Sequence, residues 1–457
     1  MLDSVIQTIR AATRESPFAG KLFLVGGLLR DRALGLTPDE DVDIVCLADA
    51  LQAAEFLHGN GVTGHAPVVY PRFGTAMVSV RGVPVEFATA RRESYSPGSR
   101  KPAVEPAKLE EDVTRRDFTV NTLLENLHTG EQLDLTGRAR ADMAARLIRT
   151  PLDPEATFHD DPLRLLRAVR FAAKLGFQIE PETYRALLAC APRLSIISSE
   201  RIRDEFTKTL MLPRASCGLE LLRQTGLLGI FAPELAAMHG VEQNIFHIYD
   251  VWGHTLKALE SLPPDAGPDV RLAVLFHDIG KPSTKSVGED GCAHFYGHQA
   301  AGAEMTRRIL HRLKFPNAQI ERVCQLVGLH MRIGEYTGQW SDTAVRRLIR
   351  DFGDNLDDLF TISHADRAAC NPEFNMLDPE TVRERVELVR SEADYAGAES
   401  PLDGLEIMAI AGIPAGPDVG RYKALLVEEI LEGRLAPGDK EAAEKILRTA
   451  LKDEHAR

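Results

Sequence analysis

Two aspartates one residue apart, Asp41 and Asp43, open the apolar run "DVDIVC", where a strand entering a buried sheet has no use for charge. In extended chain the period of two puts both carboxylates on one face. Acids held that close repel unless a cation lies between them. Mg²⁺ is the usual partner where carboxylates also meet phosphates. Upstream, "LFLVGGLLRD" (22–31) takes an apolar strand into Gly26-Gly27 and then a helix bearing Arg30 and Asp31. Glycine lets backbone N–H groups approach a phosphate, and a helix N-terminus adds partial positive charge. Each signal alone is weak, because a Gly-Gly or a D-x-D more often marks an ordinary turn or a solvated strand end.

Other segments add weight. "TRRDFTVN" (114–121) and "DDPLRLLRAVRF" (160–171) are rich in arginine. Within the second, Arg164, Arg167 and Arg170 recur every third residue and line one helical stripe. A solvated basic face is the usual reading of such a run, but three close cations are costly to hold unless something anionic sits opposite. Further on, "LFHDIGKP" (275–282) sets His277 beside Asp278 at the end of an apolar helix, awkward to bury without a partner. A metal bound by imidazole and carboxylate would satisfy both. "DVWGHTLKALE", "HFYGHQAAGAEM", "LVGLHMR" and "SHADRAA" bring His254, His298, His330 and Asp366 as further candidates among the 14 histidines and many acids.

The chain that must position these groups has 457 residues, long enough for roughly three domains. At 44% hydrophobic and 26% charged residues it reads as soluble and globular. It carries no apolar run of membrane-spanning length, and its first residues read as an amphipathic helix, not a secretory signal. Six scattered cysteines without a C-x-x-C pair suit a reducing cytoplasm and indicate neither a zinc ribbon nor a disulfide framework. A net charge of −13 argues against a general nucleic-acid coat. Basic islands at 91–101, 114–118 and 164–174 instead suggest one defined nucleotide or RNA track. Residues 22–89 alternate strands and short helices, with a hairpin across Arg81-Gly82. The Pro-, Ser- and Lys-rich stretch 90–112 reads as a mobile loop, and from about Pro151 the pattern is almost wholly helical.

"GGLLRD", "DVD", "RRDFTVN" and "DDPLRLLRAVRFAAKLGF" resemble, in order and spacing, the motifs of the class II tRNA nucleotidyltransferase and poly(A) polymerase family. The resemblance runs through residues 20–235. It implies an α+β protein with a palm-type nucleotidyltransferase head (1–150) followed by an all-α neck (151–240), an HD domain (241–400) and a helical tail (401–457). It implies Mg²⁺ held by the catalytic Asp41 and Asp43, with Glu86 as a possible third acid. Gly26, Gly27, Arg30 and Asp31 would lie at the nucleotide's phosphates, and Arg115, Arg116, Asp117 and Asn121 would shape the sugar and phosphate pocket. Asp161 and Arg164 would read the base, with Arg167 and Arg170 behind them. Two departures from the family pattern are Asp160, commonly Glu, and Glu40, commonly basic.

The later segments are similar to the HD phosphohydrolase superfamily, whose H…HD…D pattern falls on His254, His277, Asp278 and Asp366. His298 and His330 fall where some members carry ligands for a second metal, so the site would hold a divalent transition metal or Mg²⁺. The expected partners are tRNA, ATP and CTP, with no membrane and no obligate protein partner. Three functions stay in play: a tRNA nucleotidyltransferase, a poly(A) polymerase, and an HD phosphohydrolase regulated by a nucleotide-binding head. The length of 90–112 favours full CCA or terminal A addition, since enzymes adding only the two cytidines tend to have that loop shortened.

Overall fold

The computed structural model describes residues 1–38, 41–94, 103–289, 291–336, 340–374, 377–392 and 399–455. They form two compact units, one of Met1–Ala236 with Arg312–Phe315 and one of Ala237–His311 with Pro316–Arg457.

The first unit begins with a seven-stranded sheet. Its strands are β1 (Leu22–Val25), β2 (Val42–Cys46), β3 (Val68–Tyr70), β4 (Thr75–Val80), β5 (Val83–Thr89), β8 (Leu124–Asn126) and β9 (Gln132–Leu133), with β6 and β7 lying outside it. The order is β3-β4-β5-β2-β1-β8-β9. β2 is buried between β1 and β5, which explains its apolar run. β4 and β5 alternate buried and exposed residues, as strands with one covered face do. Arg81 (φ 54°) and Gly82 (φ 83°) make the tight turn between them with two left-handed residues, whose twist matches that of the strands. The helix Ala50–Gly59 packs on β4 and β5. Phe23, Val25, Val45, Ala90, Leu109, Val113 and Leu124 form an apolar cluster. By strand period this cluster shares the sheet face of Asp43.

The stretch 90–112, expected as a loop, is paired at its base. β6 (Arg91–Ser94) and β7 (Ala103–Pro106) run antiparallel with Arg91 opposite Pro106 and Ser94 opposite Ala103, and the helix Leu109–Thr114 follows. Residues 95–102 and Glu40 lie outside the described residues. Head and neck belong to the same unit. In the neck, the helix Leu163–Leu175 buries Leu165, Leu166, Val169 and Ala172 and packs against the helices Ser199–Leu210 and Ala215–Gln224.

In the second unit the helices Val251–Glu260, Pro268–Phe276, Asn317–Leu329 and Leu356–Ala369 pack together. The tail helices Gly404–Ala411, Pro417–Leu431 and Lys440–His455 close on their own core of Ile407, Tyr422, Leu426, Ile430, Ala443 and Leu447. No helix among the described residues is long and apolar enough to cross a membrane.

Candidate functional sites

Strand register aligns the acids of the head. Val25 faces Asp43 across β1–β2, and Asp43 faces Glu86 across the parallel pair β2–β5. Asp41 is exposed just before β2, two residues from Asp43. Burial, then the Asp41 and Glu86 carboxylates, push the Asp43 carboxyl up to about 6. Among the described residues, groups of three or more donor atoms within 4.8 Å of one another occur only in the HD segment. The head acids therefore share a row without closing on one point. Gly26 (φ 80°) turns the chain from β1 into the helix Gly27–Ala33, and a Cβ there would lie 3.0 Å from Asp43 Oδ2. The left-handed backbone and the crowding by the Asp43 carboxylate together select glycine at this turn.

The arginines are largely occupied from within. Arg30 is 2% exposed; its Nε donates to Asp31 Oδ1 (2.7 Å) and its Nη1 to Asn121 Oδ1 (2.8 Å). Asn121 Nδ2 donates to Asp117 Oδ1 (3.0 Å), and Arg167 Nε to Asp117 Oδ2 (2.8 Å). Burial pushes the Asp117 carboxyl up, but Arg167 and the Asn121 amide outweigh it and bring it to about 2. Arg170 Nε donates to Glu205 Oε2 (2.6 Å), and Arg167 lies 3.6 Å from the same carboxylate. The anion opposite the arginine stripe is thus Asp117 and Glu205. Arg115 and Arg116 likewise converge on the buried Asp112, at 2.6 and 3.0 Å. One network joins the Gly26 turn to the neck helices.

A break in the helix separates Asp161 from Arg164. Asp161 is extended (φ −136°, ψ 98°) between the helices Pro154–Asp160 and Leu163–Leu175. The cause is Pro162, which disfavours helical backbone in the residue before it. Asp161 pairs with Arg201 (2.9 Å), while Arg164 donates to the carbonyls of Thr157 (3.3 Å) and Arg115 (2.6 Å).

In the second unit the expected ligands do converge. His254 Nε2 lies 2.8 Å from Asp366 Oδ1 and 3.2 Å from His277 Nε2, which is 3.2 Å from Asp278 Oδ2. Asp278 Oδ1 faces His298 (3.5 Å) and His330 (3.9 Å). Two ligand groups result, His254/His277/Asp278 and Asp278/His298/His330, sharing Asp278. Each Nδ1 is turned outward to a carbonyl: His254 to Ala369, His277 to Val274, His298 to Phe295 and His330 to Val327. That arrangement fixes the tautomer and aims every Nε2 inward, as metal-binding histidines require. Burial pushes His277 down, but Asp278 and Asp366 outweigh it and raise it to about 10. Asp366 is 28% exposed whereas His254, His277 and Asp278 are sealed, so the cluster opens on the Asp366 side. The residues present fit a divalent metal.

Sequence reasoning missed Asp112, Arg201, Glu205 and Lys281. Asp112 precedes Arg115 and Arg116 at helical pair spacing, and Lys281 Nζ reaches Asp278 Oδ2 (2.7 Å) three residues back, so local spacing could have found both. Arg201 and Glu205 act across tertiary contacts and leave no local signal. His247 and Cys370 form a further close group with His254.

An acid-bearing palm sheet, an arginine-rich helical neck and a His/Asp cluster in a helical unit define a nucleotidyltransferase joined to an HD domain. Residues 22–149 match the poly A polymerase head domain, 176–238 the probable RNA- and SrmB-binding site of polymerase A, and 245–369 the HD domain. A CC-adding tRNA nucleotidyltransferase of Thermus thermophilus is 35% identical over 440 residues, covering 93% of this chain and 92% of that one. An A-adding tRNA nucleotidyltransferase of Deinococcus radiodurans is 37% identical over 335 residues, covering 71% and 75%. The crystal structure of a Bacillus stearothermophilus CCA-adding enzyme in complex with CTP shares the fold, with a TM-score of 0.69 at 23% identity over 99% of this chain and 97% of that one. The chain belongs to the tRNA nucleotidyltransferase and poly(A) polymerase family of template-independent enzymes.

Proposed function

We propose that this protein adds C, A or both to the 3′ end of tRNA from CTP and ATP. The observation that carries the reading is the row Asp41, Asp43 and Glu86 against the Gly26 turn, with Asp43 raised to about 6 by burial first and by the Asp41 and Glu86 carboxylates after it. A buried carboxylate with two acids beside it is stabilised by a divalent cation, which offsets both the desolvation and the repulsion. Asp41 and Asp43 would hold Mg²⁺, with Glu86 beside them; two bound cations would activate the 3′-hydroxyl and stabilise the attacked α-phosphate. The N–H groups of the Gly26-Gly27 turn would meet the phosphates, and the Arg30–Asn121–Asp117 chain braces the helix that follows it.

Base choice falls to Asp161 and Arg164. Cytosine and adenine both present an amino donor beside a ring-nitrogen acceptor, matching a carboxylate that accepts and a guanidinium that donates. Uracil and guanine reverse the pattern, and each unpaired polar group costs about 1–3 kcal/mol. Relatives named as CC-adding, A-adding and CCA enzymes support tRNA over general RNA as the acceptor. The deciding experiment offers tRNAs lacking all three, the last two or the last one of the terminal nucleotides, each with CTP or ATP alone. Extension of unrelated RNA 3′ ends as fast as tRNA would overturn the tRNA reading in favour of a poly(A) polymerase.

The HD cluster supports a second activity, hydrolysis of phosphate esters by a metal-activated water. Four inward imidazoles with two carboxylates suit a divalent transition metal better than Mg²⁺. Absence of phosphatase and cyclic phosphodiesterase turnover with Mg²⁺, Mn²⁺, Ni²⁺ and Co²⁺ would reduce the cluster to a structural one.

A further inference from the structure

We propose that Arg201 is the positioning residue of the base-reading pair, holding the Asp161 carboxylate away from Arg164 so that both stay open to a base. The inference rests on the reading of Asp161 and Arg164 given above. Asp161 lies between two helices, so no helical ladder sets its side chain. Two donors fix the carboxylate. Leu163 N–H reaches Oδ1 (3.2 Å), and Arg201 Nη2, from the helix Ser199–Leu210, reaches Oδ2 (2.9 Å).

Asp161 and Arg164 are near enough to close on one another, since Arg164 N–H donates to the Asp161 carbonyl (3.0 Å). A closed carboxylate–guanidinium pair would satisfy itself and offer a base nothing. The structure keeps them apart from both sides. Arg201 draws the carboxylate toward its own helix, and the carbonyls of Thr157 and Arg115 take the Arg164 guanidinium. Each Asp161 oxygen then has one acceptor position left, enough for an amino group. Arg201 is 45% and Asp161 24% exposed, and ion pairs this open add little to stability. A role in selectivity is therefore separable from a role in folding.

The test measures competitive incorporation of CTP, ATP, UTP and GTP onto one tRNA acceptor by Arg201→Gln, Arg201→Lys, Asp161→Ala and the Arg201→Gln/Asp161→Ala double variant. We expect Arg201→Gln to lower the preference for CTP over UTP and for ATP over GTP by about tenfold, the loss of one partner's alignment. Its thermal midpoint should stay within experimental scatter of the parent, and Arg201→Lys should recover most of the preference. Because Arg201 acts through Asp161, the double variant should discriminate no worse than Asp161→Ala. Equal slowing of all four nucleotides by Arg201→Gln, or a further loss in the double variant, would overturn the proposal while leaving Asp161 as the reader. Intact selectivity in Asp161→Ala would instead remove the base-reading assignment itself.

Discussion

Asp43 sits beside Asp41 and Glu86 with its carboxyl raised from 3.8 to about 6. An acid whose folded pKa exceeds its unfolded value weakens the fold when ionised, and that penalty fades as pH falls through about 6. The metal-free protein should therefore gain stability between pH 8 and pH 5 from this residue. Asp43→Asn should gain about 1–3 kcal/mol at pH 8 in chelator and lose that part of the pH dependence, while nucleotide incorporation falls to background. Thermal melts at two pH values and a tRNA extension assay check both halves; a variant that still extends tRNA near the parental rate would remove Asp43 from the reaction. Glu205 matters through the cation it pairs with. It is 4% exposed and takes Arg170, itself only 12% exposed, so Glu205→Ala leaves a largely desolvated guanidinium without its carboxylate. Urea denaturation should show a loss of about 3–5 kcal/mol.

Secondary-structure elements differed in how openly the sequence declared them. β1, β2, β4 and β5 were legible because an apolar run or strict alternation survives in each. β6 and β7 were not, because "RRES" and "AVEP" carry neither an apolar run nor an apolar–polar alternation. That the HD residues would lie together was legible through the His277-Asp278 pair and the resemblance to the HD superfamily, since any single histidine is more often a surface or core residue. The break at Asp161 is present in the sequence as the following proline, which separates Asp161 from the helix that carries the arginine stripe. The ion pairs of Arg170 and Asp161 depend on the helix Ser199–Leu210 downstream, and that of Arg167 on Asp117 fifty residues upstream, none of which periodicity can place. Packing of one element on another also sets the metal cluster. A Cβ on Gly280 would collide with the carbonyl oxygen of His298 and lie 2.8 Å from Gly302 N, at the start of the helix that carries His298. Gly280→Ala should push that helix away from Asp278 and lower the amount of metal retained after dialysis, measured by elemental analysis, with tRNA extension kept.

At the scale of the whole molecule, transferase and HD ligands fall in separate compact units. His277→Ala with Asp278→Ala should abolish metal retention and any phosphate-ester hydrolysis while tRNA extension continues at a rate within about twofold of the parent, as expected for sites without shared partners. Joint loss of both activities would show that the HD cluster supports the transferase. The internal pairing of the head and neck arginines reaches further, into how the protein senses ionic strength. Arg115, Arg116, Arg167 and Arg170 are matched by Asp112, Asp117 and Glu205 inside a chain of net charge −13. Cations already neutralised by carboxylates displace few counterions from an RNA backbone, whose release normally drives association. Binding of tRNA should then weaken with added salt far less steeply than a tally of arginines near the site suggests, with a log–log slope nearer −2 than −6 at roughly 0.9 per phosphate contact. Filter binding across a salt series would show it, and a steep slope would mean that these ion pairs open to meet the RNA.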